Sequence, residues 1–333
     1  MLPEYKYQCK DQSLLLPHFK KWVVEPCMKF VPWGVPANII TIVSNFFLYA
    51  ALILAFQHTP GSLLSYLLVP LLIFLYVLGD HIDGAQAKRT GTGSQLGEFH
   101  DHYLDAFNNG IIIVISLLLL QIQNPYLIAL VFFSSYLAHT ALIYEQFRTK
   151  WLIFEKMSAL EGDFMILLLI LAQSIPSVQV FFTSSLIFSL TPAEFVLCFT
   201  ILGALGTFLK SVKRTKNFTI PFVLYLIIQI FMGVYAFFFL SIPQTFLLFT
   251  LFNGVYMGKL MRGYLTDAVE RNPDFLTPLA LIVLAWIQLV TLKPLIYHGL
   301  IYIFLYLGLM VVYIIIRTFY PLRHFWVWKN PPK

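Results

Sequence analysis

The chain has 333 residues, 59% of them hydrophobic and only 11% charged, with a mean hydropathy of +0.78. A soluble protein of this size is about a quarter charged, so a large soluble helical domain is excluded and an integral membrane protein remains. The net charge of +6 does not argue for nucleic acid, because its distribution along the chain has a membrane explanation. The 3 cysteines, Cys9, Cys27 and Cys198, form no motif and suggest no disulfide framework.

Residues 1–35 are basic and aromatic without a compact apolar core, so no cleavable signal peptide is expected. They read instead as a separate cytoplasmic, interfacial segment. Leu15, Phe19, Trp22 and Val23 fall on one helical face with Lys20 and Lys21 beside them, as in a helix lying in the headgroup layer. Apolar runs of spanning length then predict ten helices, an all-α membrane fold. They fall near 38–57, 62–87, 97–121, 125–145, 163–183, 193–212, 219–240, 244–262, 277–293 and 295–316. Turn residues separate them at His58-Thr59-Pro60-Gly61, Asn124-Pro125, Pro192, Ser241-Ile242-Pro243 and Lys293-Pro294. With this count, 21 of the 22 Lys and Arg residues lie on one side of the membrane, Lys293 alone on the other. The positive-inside rule makes that side cytoplasmic, with both termini on it. The stretch from Arg317 to Lys333, with Phe325, Trp326 and Trp328, reads as an interfacial anchor.

Four carboxylates occupy the turn between the second and third predicted helices. Asp80 and Asp83 end one apolar stretch, and Asp101 and Asp105 begin the next. Carboxylates beside lipid-soluble segments are costly, so such a cluster is a functional-site hypothesis. The i, i+3 and i, i+4 spacings put each pair on one side of its helix. A hairpin centred between Thr92 and Gly93 sets Asp80 opposite Asp105 and Asp83 close to Asp101, on the order of 10 Å inside the helix ends at about 1.5 Å per residue. Three chemistries use such a cluster: ion transport, structural pairing with Lys88 and Arg89, and metal-assisted phosphate chemistry. Transport sites usually sit at the midplane between repeats or broken helices, and no repeat stands out. Two cations cannot neutralise four carboxylates, whereas two Mg²⁺ or Mn²⁺ ions could. Paired metals serve in-line phosphoryl displacement.

The segment Asp80-x2-Asp83-Gly84-x2-Ala87-Lys88-x8-Gly97-x3-Asp101-x3-Asp105 resembles the signature of the CDP-alcohol phosphotransferase family. One position departs, Lys88 standing where the family has arginine; it keeps the charge but loses planar bidentate phosphate contacts, which Arg89 could replace. Further short segments resemble the choline- and ethanolamine-phosphotransferase branch: Tyr7, Asp11, Ser13 and Leu14; Asn38 and Thr41; Leu96-Gly97-Glu98; Asp101-His102; and Glu161-Gly162. The resemblance implies a six-helix catalytic core over 36–212, with additional helices over 213–333. It also implies transfer of a phosphoalcohol from a CDP-alcohol to a lipid hydroxyl such as diacylglycerol, releasing CMP. The alternatives are a CDP-diacylglycerol donor with a soluble acceptor such as inositol or serine, and a cation-coupled transporter.

Carried over by position, Asp80, Asp83 and Asp101 would be metal ligands, and Asp105 would complete a two-metal site or accept the acceptor's proton. Gly84, Ala87 and Gly97 are small enough for a nucleotide to lie against the backbone, or for helices to pack tightly. Asn38 is a nucleotide contact or a helix N-cap. A carboxylate shared by two metals is a poor base, so His102, within helical reach of Glu98, is the favoured general base, with His100 a competitor. Other polar positions have structural readings. Glu145 is expected to contact Arg148, Glu161 and Asp163 to cap the fifth helix, and Gly254-x3-Gly258 to mediate helix packing, inside the chain or in a homodimer. The compartment is expected to be endoplasmic reticulum or Golgi membrane in a eukaryote, or the inner membrane in a bacterium.

Overall fold

The computed structural model describes residues 7–185, 190–291 and 296–323. After strand β1 (Cys9–Asp11) come the short helices α1 (Leu16–Phe19) and α2 (Glu25–Met28), joined by a π-helical turn, Lys20–Val24. The helices α3 (Ala37–Phe56), α4 (Leu63–Thr90), α5 (Gln95–Leu119) and α6 (Pro125–Thr149) follow. Strand β2 (Leu152–Phe154) then pairs in parallel with β1, Cys9 opposite Leu152. The remaining helices are α7 (Ala159–Ala172), α8 (Pro176–Thr183), α9 (Pro192–Thr215), α10 (Ile220–Phe239), α11 (Ile242–Arg262), α12 (Leu276–Thr291) and α13 (Ile296–Leu322).

Among the described residues, every predicted apolar segment forms helix, but not every one is a straight crossing. Among the described residues, seven helices are long and apolar enough to span a membrane: α3, α4, α5, α6, α9, α10 and α13. The segment expected as one helix over 163–183 is broken. Pro176 opens α8 and lacks the N–H that would continue α7, and the two axes bend by 114°. Counted as one broken span, they raise the number to eight. The 21-residue α11 is too polar for that test and the 16-residue α12 too short. The polarity of α11 has a physical reason: it lies inside the bundle, packed on α5, α6 and α13, with Thr245, Thr250 and Asn253 buried. Lys293-Pro294 and the aromatic run Phe325, Trp326 and Trp328 lie outside the described residues.

The N-terminal helix forms, but its buried face is not the expected one. Leu16, Phe19 and Val24 are buried, whereas Trp22 is 69% exposed and Leu15 is also exposed. The π turn inserts an extra residue and so passes the inner position from Val23 to Val24. Phe19 meets the rings of Phe74 on α4 and Phe164 on α7 edge-on. Glu161 explains how the preceding segment is held. It closes a capping box with Ser158 at the start of α7 and accepts hydrogen bonds from the Ser13 hydroxyl (2.6 Å) and the Leu15 N–H (2.9 Å).

Two hydrophobic clusters meet along α5. One contains α3, α4, α7 and the N-terminal helix; the other contains α6, α9, α10 and α11. Across the second, Glu145 on α6 pairs with Arg214 on α9, at 2.5 and 2.9 Å, rather than with Arg148. Arg148 is only three residues away, but α6 packs broadly on α9 and brings the distant guanidinium in. Gly254 and Gly258 serve packing inside the chain: an added Cβ would press on the Phe107 ring at Gly254, and on Tyr103 and Ile314 at Gly258.

Candidate functional site: a carboxylate cleft between two helices

Local chemistry turns the chain sharply between α4 and α5. Gly91 ends α4 in the left-handed region (φ +63°), where a side chain would be strained. Ser94 then caps α5, its hydroxyl accepting from the Gly97 N–H at 3.1 Å. The two helices do not lie flat against each other. Helix α3 packs against both, as does α7, while α4 and α5 make little backbone contact of their own. The result is a cleft with acidic side chains on its walls.

Asp80 from α4 and Asp101 and Asp105 from α5 converge there, each offering a carboxylate oxygen within 4.8 Å of the others. At an effective dielectric of about 20, each such pair of like charges costs roughly 3 kcal/mol. Cation binding relieves that cost. With metal–oxygen bonds near 2.1 Å, ligand oxygens on one ion lie up to about 4 Å apart. Small rotations of these side chains would therefore suit a hard divalent ion, and the all-carboxylate donor set suits Mg²⁺ or Mn²⁺.

Asp83 is not within 4.8 Å of all three but lies within electrostatic reach of each. It is 4% exposed and accepts a 2.5 Å hydrogen bond from the Thr41 hydroxyl on α3. Asp105 is steadied by the Tyr76 hydroxyl at 3.4 Å, which in turn accepts from Asn108 at 3.1 Å. Asp80 lies 3.6 Å from His81 Nδ1.

The small residues divide. No heavy atom lies within 4 Å of where a Cβ on Gly84 would be, so tight helix packing does not explain this glycine. At Gly97 a Cβ would touch Asn38 Oδ1 at 3.4 Å, so the starts of α3 and α5 adjoin. Asn38 lies within the first turn of α3, whose N-cap is Pro36, and the capping alternative for Asn38 falls away. Ala87 is half-buried and Lys88 exposed. Arg89 is committed elsewhere: its guanidinium donates to the carbonyls of Met28 (2.9 Å) and Val31 (2.7 Å) and lies over the Trp33 ring. It braces the loop before α3, together with buried Gln86, which reaches Val35 O at 2.7 Å. In this arrangement it does not supply the phosphate fork that Lys88 lacks.

His102 is 8% exposed, with Nδ1 turned to Glu98 at 4.0 Å and Nε2 to Asp101 at 3.9 Å. The Tyr7 hydroxyl lies 3.5 Å from Nε2. Asp163 on α7 lies within electrostatic reach of Asp80 and Asp105, a position beyond the capping expected of it. Sequence reasoning passed over Tyr76, Asn108 and Gln146, whose roles depend on helix register rather than on a local motif.

Residues 35–191 match the family model for CDP-alcohol phosphatidyltransferases. The matched stretch is similar to that family and includes Asp80, Asp83, Asp101 and Asp105. Among curated relatives, a CDP-alcohol phosphatidyltransferase class-I family protein of Schizosaccharomyces pombe is 32% identical over 133 residues, 37% of this chain and 33% of its own. Choline/ethanolaminephosphotransferase 1 of Arabidopsis thaliana is 36% identical over 114 residues, 32% of this chain and 28% of its own. CDP-diacylglycerol–serine O-phosphatidyltransferase of Encephalitozoon cuniculi matches with the same identity and coverage. The chain thus spans about a third of the length of the curated relatives it matches.

Proposed function

We propose that the chain is a membrane enzyme that moves a phosphoalcohol of the phosphocholine or phosphoethanolamine type from a CDP-alcohol to a lipid hydroxyl such as diacylglycerol, releasing CMP. The observation that carries this reading is the convergence of Asp80 from α4 with Asp101 and Asp105 from α5, inside the matched residues. Two Mg²⁺ or Mn²⁺ ions held there would neutralise the diphosphate and the departing CMP. Asp83, fixed by Thr41, completes the acidic wall. Gly84, with open space beside it, Ala87, Lys88, Gly97 and Asn38 line the approach for the nucleotide. His102, beside Glu98, takes the proton of the lipid hydroxyl as its oxygen attacks the phosphorus distal to cytidine. Arg89 acts through the loop it braces.

A second reading keeps the same reaction centre and exchanges the substrates: CDP-diacylglycerol as donor and a soluble alcohol as acceptor. The serine O-phosphatidyltransferase relative favours it as strongly as the Arabidopsis one favours the first. Purified protein given radiolabelled CDP-choline, CDP-ethanolamine or CDP-diacylglycerol separates the two by which donor yields CMP. No CMP from any of them, with Mg²⁺ and lipid present, would overturn both and leave cation transport to be tested as flux across proteoliposomes. We further propose that the catalytic core is 36–212, preceded by an interfacial segment 1–35 and followed by additional helices over 213–333. Both termini and the cleft face the cytoplasm, on the charge asymmetry of the loops. The enzyme would sit in the endoplasmic reticulum or Golgi membrane of a eukaryote or the inner membrane of a bacterium, and homodimerisation is open to a cross-linking test.

A further inference from the structure

Gln146 lies in the last turn of α6, 48 residues beyond Glu98, and belongs to none of the motif segments. It is 1% exposed, deep between α5 and α6. Its Nε2 stands 2.7 Å from Glu98 Oε1. An amide can face a carboxylate only by donating through its NH₂ group, so the orientation of this side chain is fixed by chemistry. Tyr264, in the π-helical turn Gly263–Asp267 after α11, lies beside Gln146. Glu98 is 7% exposed and faces His102 Nδ1 from one helical turn away.

We propose that Gln146 is a positioning residue: it holds Glu98, and Glu98 holds the His102 ring with Nε2 turned toward Asp101 and the cleft. The 4.0 Å separation between Glu98 and His102 is too long to fix the carboxylate by itself. A donor at 2.7 Å on one of its oxygens supplies that constraint. The arrangement puts an orienting group behind the group that orients the base, which is how imidazole bases are commonly held to one geometry. It also gives α6, which contributes none of the aspartates, a part in the chemistry through Glu98 and His102. The inference rests on the phosphotransfer reading above.

The test compares wild type, Gln146→Leu, His102→Ala and the double variant, each confirmed as monodisperse by size exclusion and matched for melting temperature. The readout is CMP release from the CDP-alcohol that wild type uses best, as a function of donor and Mg²⁺ concentration. Gln146→Leu should lower kcat on the order of 10- to 100-fold, as loss of an orienting partner does in metal sites. KM for the donor and the Mg²⁺ dependence should stay within about threefold, and adding Gln146→Leu to His102→Ala should cost nothing further, since the two act as a unit. Gln146→His, which can still donate from a ring N–H, should recover part of the loss. Unchanged kcat in Gln146→Leu, a rise in KM alone, or an equal additional loss on top of His102→Ala would each overturn this inference while leaving the reaction class intact. Absence of CMP release from wild type would overturn the reaction class, and this inference with it.

Discussion

Three like charges in one cleft make a measurable stability prediction. Replacing Asp105 with Asn keeps the shape and the acceptor for Tyr76 but removes one charge from the Asp80, Asp101 and Asp105 group. It relieves two repulsions of roughly 3 kcal/mol each at full strength. Asp80 and Asp101 are 31% and 34% exposed, so solvent screens the group. A realistic gain is about 2–3 kcal/mol in total. For a chain of this size that is on the order of 5 °C in melting temperature. The assay is thermal unfolding of detergent-solubilised protein at pH 8, with excess EDTA and again with Mg²⁺. In EDTA, Asp105→Asn should melt above wild type; Mg²⁺ should raise wild type by several degrees and the variant by much less. A variant that melts below wild type in EDTA, or a Mg²⁺ shift identical in both, would refute the reasoning.

Other perturbations follow from the same structure. Arg214→Gln strands Glu145, a carboxylate with no exposed surface, and should cost about 3–5 kcal/mol in unfolding experiments; adding Glu145→Gln should return part of that loss. Gly110→Ala would drive its methyl into the Thr250 and Tyr136 hydroxyls and should destabilise by about 1–3 kcal/mol, whereas Gly84→Ala has room and should keep its melting temperature while losing donor affinity. Glu155, in the loop after β2, gives a pH dependence. Burial raises its carboxyl, but hydrogen bonds from Lys210 and Arg214 outweigh that and hold it below the usual carboxylate range. The stability it contributes is therefore present at neutral pH and is lost as acid carries the pH down through its folded-state value. Acid unfolding of Glu155→Gln should show a shallower slope than wild type in that range.

The acidic hairpin was legible because its whole pattern sits within one short stretch, where helical spacing alone decides which carboxylates share a side. Asp83 is expected close to Asp101, and its charge is the strongest acting on that residue. What the hairpin alone does not show is its partner, the Thr41 hydroxyl from a third helix. Contacts between distant helices were not legible. Glu145 had an arginine three residues away in the sequence, and nothing local revealed that Arg214 would arrive from α9 instead. Tyr76 and Gln146 look like ordinary positions in apolar helices until α4, α5 and α6 are packed. The break between α7 and α8 falls at the polar, proline-bearing stretch Gln173-Ser174-Ile175-Pro176-Ser177; the apolar runs on either side add up to one spanning length, and hydropathy measures length, not direction.

The central claim is that Asp80, Asp101 and Asp105 jointly hold divalent cations. Diffraction from crystals soaked in Mn²⁺, collected at a wavelength where manganese scatters anomalously, addresses it most directly. The account predicts anomalous peaks about 2.1–2.2 Å from oxygens of these three carboxylates, abolished in Asp101→Asn. Well-occupied manganese elsewhere with nothing in the cleft, or peaks unaffected by Asp101→Asn, would contradict it.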